Sequence, residues 1–414
     1  MNDIQSRFRR LDRLDAPDLW NEAVGRAAEM EMAPRRTFTP GMALIAVALL
    51  LAAVAGTIAV GGLLNRQIPQ PLNLEQDNGW LTMQGECGAV VGLDPTSFES
   101  QNLTSEAANC DGGGFYAGPV AWTPDGRWMA YLTTKDREAT QAWLYDSRAN
   151  ESRLVGECAY CWAVDISPDG SLIASANGNG LTLLETDGGA AHTLDLAGAH
   201  STPQFSPDGH SLAFTVAGGQ TGVHVVDVAN VIDGIVSRPT MIHGIVAAND
   251  ATWSPNGDWI AFSHEASIPE SVRNDGTAWV GNLPTTTTLW VVRRDGSGAR
   301  QLTTGDIGYV TTPPTWSPDS TSIAFVAGRD DTEDSALWTV EIDGGAPTRI
   351  YESDCCPYPP MAFPAWSPDG ELIAFGIEEP TGRSGLMLVR PDGSDARLVT
   401  DQGMIAVWQP IPAD

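Results

Sequence analysis

The stretch WSPDGELIAF, residues 366 to 375, decides how the rest of the chain is read, because the chain repeats it. Close copies stand as WTPDGRWMAY from Trp122, ISPDGSLIAS from Ile166, FSPDGHSLAF from Phe205, WSPNGDWIAF from Trp253 and WSPDSTSIAF from Trp316. Successive copies lie 44, 39, 48, 63 and 50 residues apart. That spacing suits four-stranded propeller blades with insertions and is too long for leucine-rich or helical repeats.

Each part of the phrase has a physical role. The leading aromatic or Ile ends one strand. In SPDG the Pro presets φ at the second turn position, the Asp suits the third, and the Gly takes the left-handed conformation that closes the hairpin. The apolar LIAF-type segment that follows reads as a buried strand. Ser320 replaces the Gly in the fifth copy and should strain that turn slightly. Between phrases lie two further strand-like segments joined at DG, as in LWVVRRDGSGARQLT (289–303) and LMLVRPDGSDARLVT (386–400). Each blade is therefore expected to hold four antiparallel strands, A to D, with SPDG at the A–B turn.

The ends of the repeat region complete the count. WLTM (80–83) and residues 90–104 read as strands B to D lacking an A strand, and MIAVWQP (404–410) reads as a lone A strand. The expectation is an all-β, seven-bladed β-propeller closed by both ends, with six blades the alternative. Such closure removes exposed sheet edges. The repeated WSPDG…IAF…V…DG…LT pattern resembles the TolB-type, WD-repeat-like propeller over residues 79–410. The resemblance implies a binding platform and carries no catalytic residues.

Ahead of the repeats, Met42 to Leu64 are almost wholly apolar, and no charge occurs from Thr37 to Asn65. At about 1.5 Å per residue, such a helix covers the roughly 30 Å bilayer core. Arg26, Arg35 and Arg36 precede it, whereas Arg66 is followed by no basic residue until Arg127. This asymmetry predicts a single-pass cell-membrane protein with a cytoplasmic N-terminus and an extracytoplasmic propeller. The expected organisation is a cytosolic arm at 1–37, a transmembrane helix at 38–64, a linker at 65–78, the propeller at 79–410 and a tail at 411–414. The first 36 residues hold seven Arg and seven acidic residues, so the net charge of −29 falls beyond the apolar span. That excludes nucleic acid as a partner. In the arm, Leu19, Trp20 and Val24 share one face of a short helix. It is reminiscent of the cytosolic arms of bacterial membrane regulators such as anti-sigma factors, which implies a cytosolic partner.

The candidate site residues lie in the loops. Cys87, Cys110, Cys158, Cys161, Cys355 and Cys356 fall in B–C or D–A loops and so share one face. In an oxidising compartment they read as disulfides, with Cys87–Cys110 the best single pairing. A redox role for Cys158 and Cys161, or zinc held by four thiols, are the alternatives. Phe115, Tyr116, Tyr160, Trp162, Tyr309 and Tyr358 collect on the same face as candidate anchors for a protein or peptide ligand. Asp330, Asp331, Glu333 and Asp334 could bind calcium, though without EF-hand spacing. There is no G-x-S-x-G, H-E-x-x-H or phosphate-binding loop, and the six His are scattered singly. The expectation is a non-enzymatic binding scaffold without cofactor or metal, the alternative being a transmembrane signalling regulator with a sensing propeller.

Overall fold

The computed structural model describes residues 78–84, 89–104, 120–134, 139–159, 161, 163–176, 180–195, 203–216, 222–234, 240–243, 248–266, 286–310, 312–329, 334–353, 361–378, 384–401 and 405–411. They form seven antiparallel sheets, each a blade of four strands, with the inner strand of one blade split in two. Blade one spans 121–159, two 163–195, three 204–243, four 248–301, five 309–353 and six 361–400. Blade seven is made from both ends of the repeat region. Ala406–Trp408 pairs with Leu81–Gln84, placing Leu81 opposite Trp408, and Val90–Leu93 and Ser100–Asn102 follow. The seven-bladed expectation holds, and the six-bladed alternative falls.

The repeated phrase explains the turns atom by atom. In blade two the Gly170 N–H donates to the Ser167 carbonyl at 2.8 Å. Ser167 Oγ donates to Asp169 Oδ1 at 2.7 Å and accepts the Leu172 N–H at 2.9 Å. Asp169 Oδ1 in turn accepts the Ser171 N–H. Ser and Asp thus satisfy backbone donors that the reversal leaves open. Gly170 has φ 73°, and Ser320 adopts φ 62° in its place. Ser320 also acquires a partner that the sequence did not suggest, since its Oγ accepts the Asn256 N–H of blade four at 3.1 Å.

Each interface between adjacent blades has its own apolar cluster, seven in all, so the ring closes without a seam. The aromatic ending the IAF segment fills the sheets. Tyr131, Phe214, Phe262, Phe325 and Phe375 are fully buried. The Trp that heads the phrase docks on the preceding blade. The indoles of Trp253, Trp316 and Trp408 donate to the carbonyls of Gln204, Thr252 and Ala365 at 3.1–3.2 Å. Trp366 is the exception, its buried Nε1 lacking a partner among the described residues.

Two departures from simple repetition matter. Blade three carries a short helix, Val228–Ile232, after its third strand, capped by the Asp227 carboxylate and buried through Val228 and Val231. Blade five has a broken inner strand, with Tyr309–Val310 and Thr315–Trp316 both pairing Ser322–Arg329. Pro313 and Pro314 lie in the gap and cannot donate to the ladder.

Among the described residues no helix is long and apolar enough to cross a membrane. The expected arm at 1–37, span at 38–64 and most of the linker lie outside the described residues, as do Leu19, Trp20 and Val24.

Candidate functional site

The inner strands of successive blades touch one another and encircle the axis. The residue before each phrase's leading aromatic or Ile occupies one register around this ring: Ala121, Asp165, Gln204, Thr252, Thr315, Ala365 and Val407. All seven are partly exposed, and Ala121, Ala365 and Val407 also pack beside the apolar clusters between blades. They divide by chemistry. Blades two to five contribute Asp, Gln, Thr and Thr, and blades six, seven and one contribute Ala, Val and Ala.

The polar arc also stitches blades together. Asp165 Oδ2 accepts the Phe205 N–H at 2.7 Å, and Gln204 Oε1 accepts the Trp253 N–H at 2.8 Å. Thr252 Oγ1 donates to the Pro314 carbonyl at 3.2 Å. Inner strands have one unpaired edge, and these side chains satisfy groups on it.

Two carboxyls of the inner strands, one in the arc and one beside it, have shifted pKa values. Burial pushes Asp165 up to about 7, against the N–H donors of Phe205 and Ile166 that pull it down. Burial alone pushes Asp250 up to about 6. Asp250 lies at a bulge in the inner strand of blade four, with φ 56°. Both surroundings favour the neutral acid over the carboxylate relative to a free Asp.

A second concavity opens on the face of the A–B and C–D turns, between blades five and six. This pocket of about 380 Å³ is lined by Ser322, Thr339, Glu341 and Thr348, with Trp366 and Pro391 of blade six opposite.

The cysteine and aromatic face is placed only in part. Cys161 is described: it is buried in the cluster between blades one and two, and it is disulfide-bonded. For Cys158 and Tyr309 only the backbone is described, in Glu151–Ala159 and Tyr309–Val310. Cys87, Cys110, Cys355, Cys356, Phe115, Tyr116, Tyr160, Trp162 and Tyr358 lie outside the described residues, as do Asp330, Asp331 and Glu333. The backbone of Asp334 begins a strand. Among the described residues no group of His, Cys, Asp or Glu could hold a metal ion. Three His have structural surroundings. His192 meets Glu185 at 2.9 Å, buried His224 stacks on Phe214, and His264 packs edge-on against Trp290. Sequence reasoning missed Asp165, Asp250 and Gln204. For Asp165 and Gln204 the signal was a polar residue directly before the phrase's leading residue, visible once the phrases are aligned; Asp250, three residues before Trp253, had none.

No family model matches the chain. The Protein TolB homolog of Chlorobium luteolum is 26% identical over 286 residues, covering 66% of this chain and 55% of that protein. The uncharacterized peptidase YuxL of Bacillus subtilis is 26% identical over 143 residues, covering 34% of this chain and 19% of the peptidase. The chain thus spans about half of one relative and about a fifth of the other. Among solved structures, the periplasmic gluconolactonase of Pseudomonas aeruginosa aligns with TM-score 0.53 at 14% identity, over 81% of this chain and 99% of that one. The oligogalacturonate lyase of Vibrio parahaemolyticus aligns with TM-score 0.51 at 15% identity, over 78% and 84%. The TolB-like propeller fold is thereby supported.

The expectation that the chain is not an enzyme is corrected by these relatives. A peptidase resembles part of the sequence, and a lyase and a lactonase share the architecture. The missing motifs were weak evidence, because a propeller can bring reacting groups together from separate blades without any local signature.

Proposed function

We propose that the chain is a recognition propeller whose inner ring receives a polar or cationic segment of a protein or peptide ligand. The observation that carries this reading is the division by chemistry of that one inner-strand register. Asp165, Gln204, Thr252 and Thr315 form a continuous polar arc opposite Ala365, Val407 and Ala121. An extended segment could lay polar groups on one side and apolar groups on the other. The acidity of the chain beyond residue 64 favours basic ligands. In this reading residues 38–64 hold the protein in the cell membrane with the propeller outside. The arm bearing Leu19, Trp20 and Val24 is then free to engage a cytosolic regulator.

The test is selection of displayed random peptides on the full chain, followed by binding to Thr315→Trp, which places an indole in that arc. Enriched peptides should lose most of their binding to this variant. Equal binding, or no enrichment, would reject the reading.

A second reading is favoured by the raised pKa values of Asp165 and Asp250. A carboxyl near 7 suits general acid or base work. Turnover of peptide or lactone probes that disappears in Asp165→Asn would establish it.

A further inference from the structure

The pocket between blades five and six exists because one recurring device is missing there. In blade four Trp259 faces Arg293 across the B–C pair, and Val291 faces Arg300 across the C–D pair. Both guanidinium groups stack on the Trp259 ring, at 4.5 and 4.7 Å from its centroid. Arg300 then crosses to blade five, where Nη2 donates to the Ile342 carbonyl. Blade one does the same: Arg153 Nη1 donates to the Thr186 carbonyl of blade two, at the same register as Ile342.

Blade five keeps the receiving geometry without the guest. By register Ser322 stands where Trp259 stands, Glu341 where Arg293 stands and Thr348 where Arg300 stands. The carbonyl at the receiving position, in blade six, belongs to Pro391. Arg349, one residue on, turns to the other side, pairing with Glu352 at 2.7 Å and lying over Trp338. The gap is not closed by backbone collapse, since the blade-six turn already sits against blade five. A Cβ added to Gly393 would lie 2.9 Å from the Ile350 carbonyl. In blade three Ser211 also lacks the large side chain, and the helix Val228–Ile232 that follows its third strand packs instead into the cluster between blades two and three.

We infer that this slot is a binding site for the arginine side chain of a protein or peptide partner, entering from the turn face. The partner's guanidinium takes the position that Arg300 and Arg153 take in their own interfaces. It lies along the flat walls of Trp366 and Pro391, with the Glu341 carboxylate as counter-ion. The replacement of an internal arginine by Glu341 turns a self-filled joint into one that needs a cation from outside. The inference uses none of the residues of the inner-strand register and stands apart from the reading above.

The experiment is saturation-transfer NMR on the purified full chain with acetyl-arginine amide, its neutral citrulline analogue and acetyl-lysine amide as probes. The arginine probe should saturate and bind at least about fivefold more tightly than the other two. Thr348→Arg, which supplies the missing internal arginine, should abolish this binding, and Glu341→Gln should weaken it about tenfold. The Gln variant is isosteric and keeps the test valid if Thr348→Arg does not fold. Equal binding of lysine and arginine, binding indifferent to Glu341→Gln, or no saturable binding would each overturn the inference; the first two would indicate diffuse attraction to an acidic surface.

Discussion

Blades four and five are built from the same phrase in the same register, yet one is filled and the other is hollow. Blade four carries Trp259 with two stacked arginines at the outer end of its strands. Its inner strand is a single segment, Ala248–Trp253, bulged at Asp250. Blade five carries Ser322, Glu341 and Thr348 at the matching positions and an inner strand broken at two prolines. A repeat fold is specified by the turn and the buried strand, and its remaining positions are free to become joints or sites.

Breaking the filled blade should have the largest effect. Trp259 is 7% exposed and belongs to the cluster between blades four and five. Trp259→Ala should cost about 3–5 kcal/mol, read as a lower denaturant midpoint of the full chain. It would also leave Arg293 and Arg300 without their ring. A loss below about 1 kcal/mol would mean that the stack contributes little and that the two blades differ less than their side chains suggest.

The inner strands differ in electrostatics, and Asp250→Asn isolates that term. The folded state holds the Asp250 acid near 6 against an ordinary 3.8, because burial disfavours its charge. Its contribution is therefore complete below about 3.8 and is lost as pH rises through about 6. The Asn variant, which tolerates the same left-handed backbone, should match the parent near pH 4. Above pH 7 it should exceed the parent by up to about 3 kcal/mol. Unfolding curves taken across that range would show the two lines diverging upward. Parallel lines would mean that the carboxyl is solvated through the channel.

How much of this contrast was legible beforehand follows from which residues are local. The SPDG turns and the IAF strands are local, and they disclosed the blades, the A–B turns and the closing strand at Trp408. The slot is defined by Ser322, Glu341, Thr348, Trp366 and Pro391, five positions spread over 70 residues and joined only by strand register. Aligning DWIAF with TSIAF shows that Trp259 has become Ser322, but not that two arginines depart with it. The two inner-strand acids were equally hidden, because an Asp in a strand looks solvent-facing until the ring closes around it. The cysteines and tyrosines, by contrast, stood out by residue type and fall mostly beyond the described residues.

Filling the hollow blade should have a smaller effect of opposite sign. Ser322→Trp restores the ring of blade four in a pocket of about 380 Å³. A gain of about 1 kcal/mol is typical of cavity filling, read again as the denaturant midpoint. A loss would show that the slot is held open by surrounding backbone and is not merely unfilled.

The smallest expected effect concerns a turn of blade five that hydrogen-bonds directly to blade four. Ser320 holds φ 62° and accepts the Asn256 N–H through Oγ at 3.1 Å. Ser320→Gly relieves the left-handed strain but loses that bond, two terms of similar size and opposite sign, so the net change should stay within about 1 kcal/mol. Ser320→Ala keeps the strain and loses the bond as well. It should therefore be the least stable of the three by thermal unfolding. If Ala and Ser unfold together while Gly rises above both, the Oγ contact is idle and the serine is tolerated only because a turn can absorb it. If Ala falls below Ser, the fifth phrase lost its glycine at a place where a hydroxyl ties the filled blade to the hollow one.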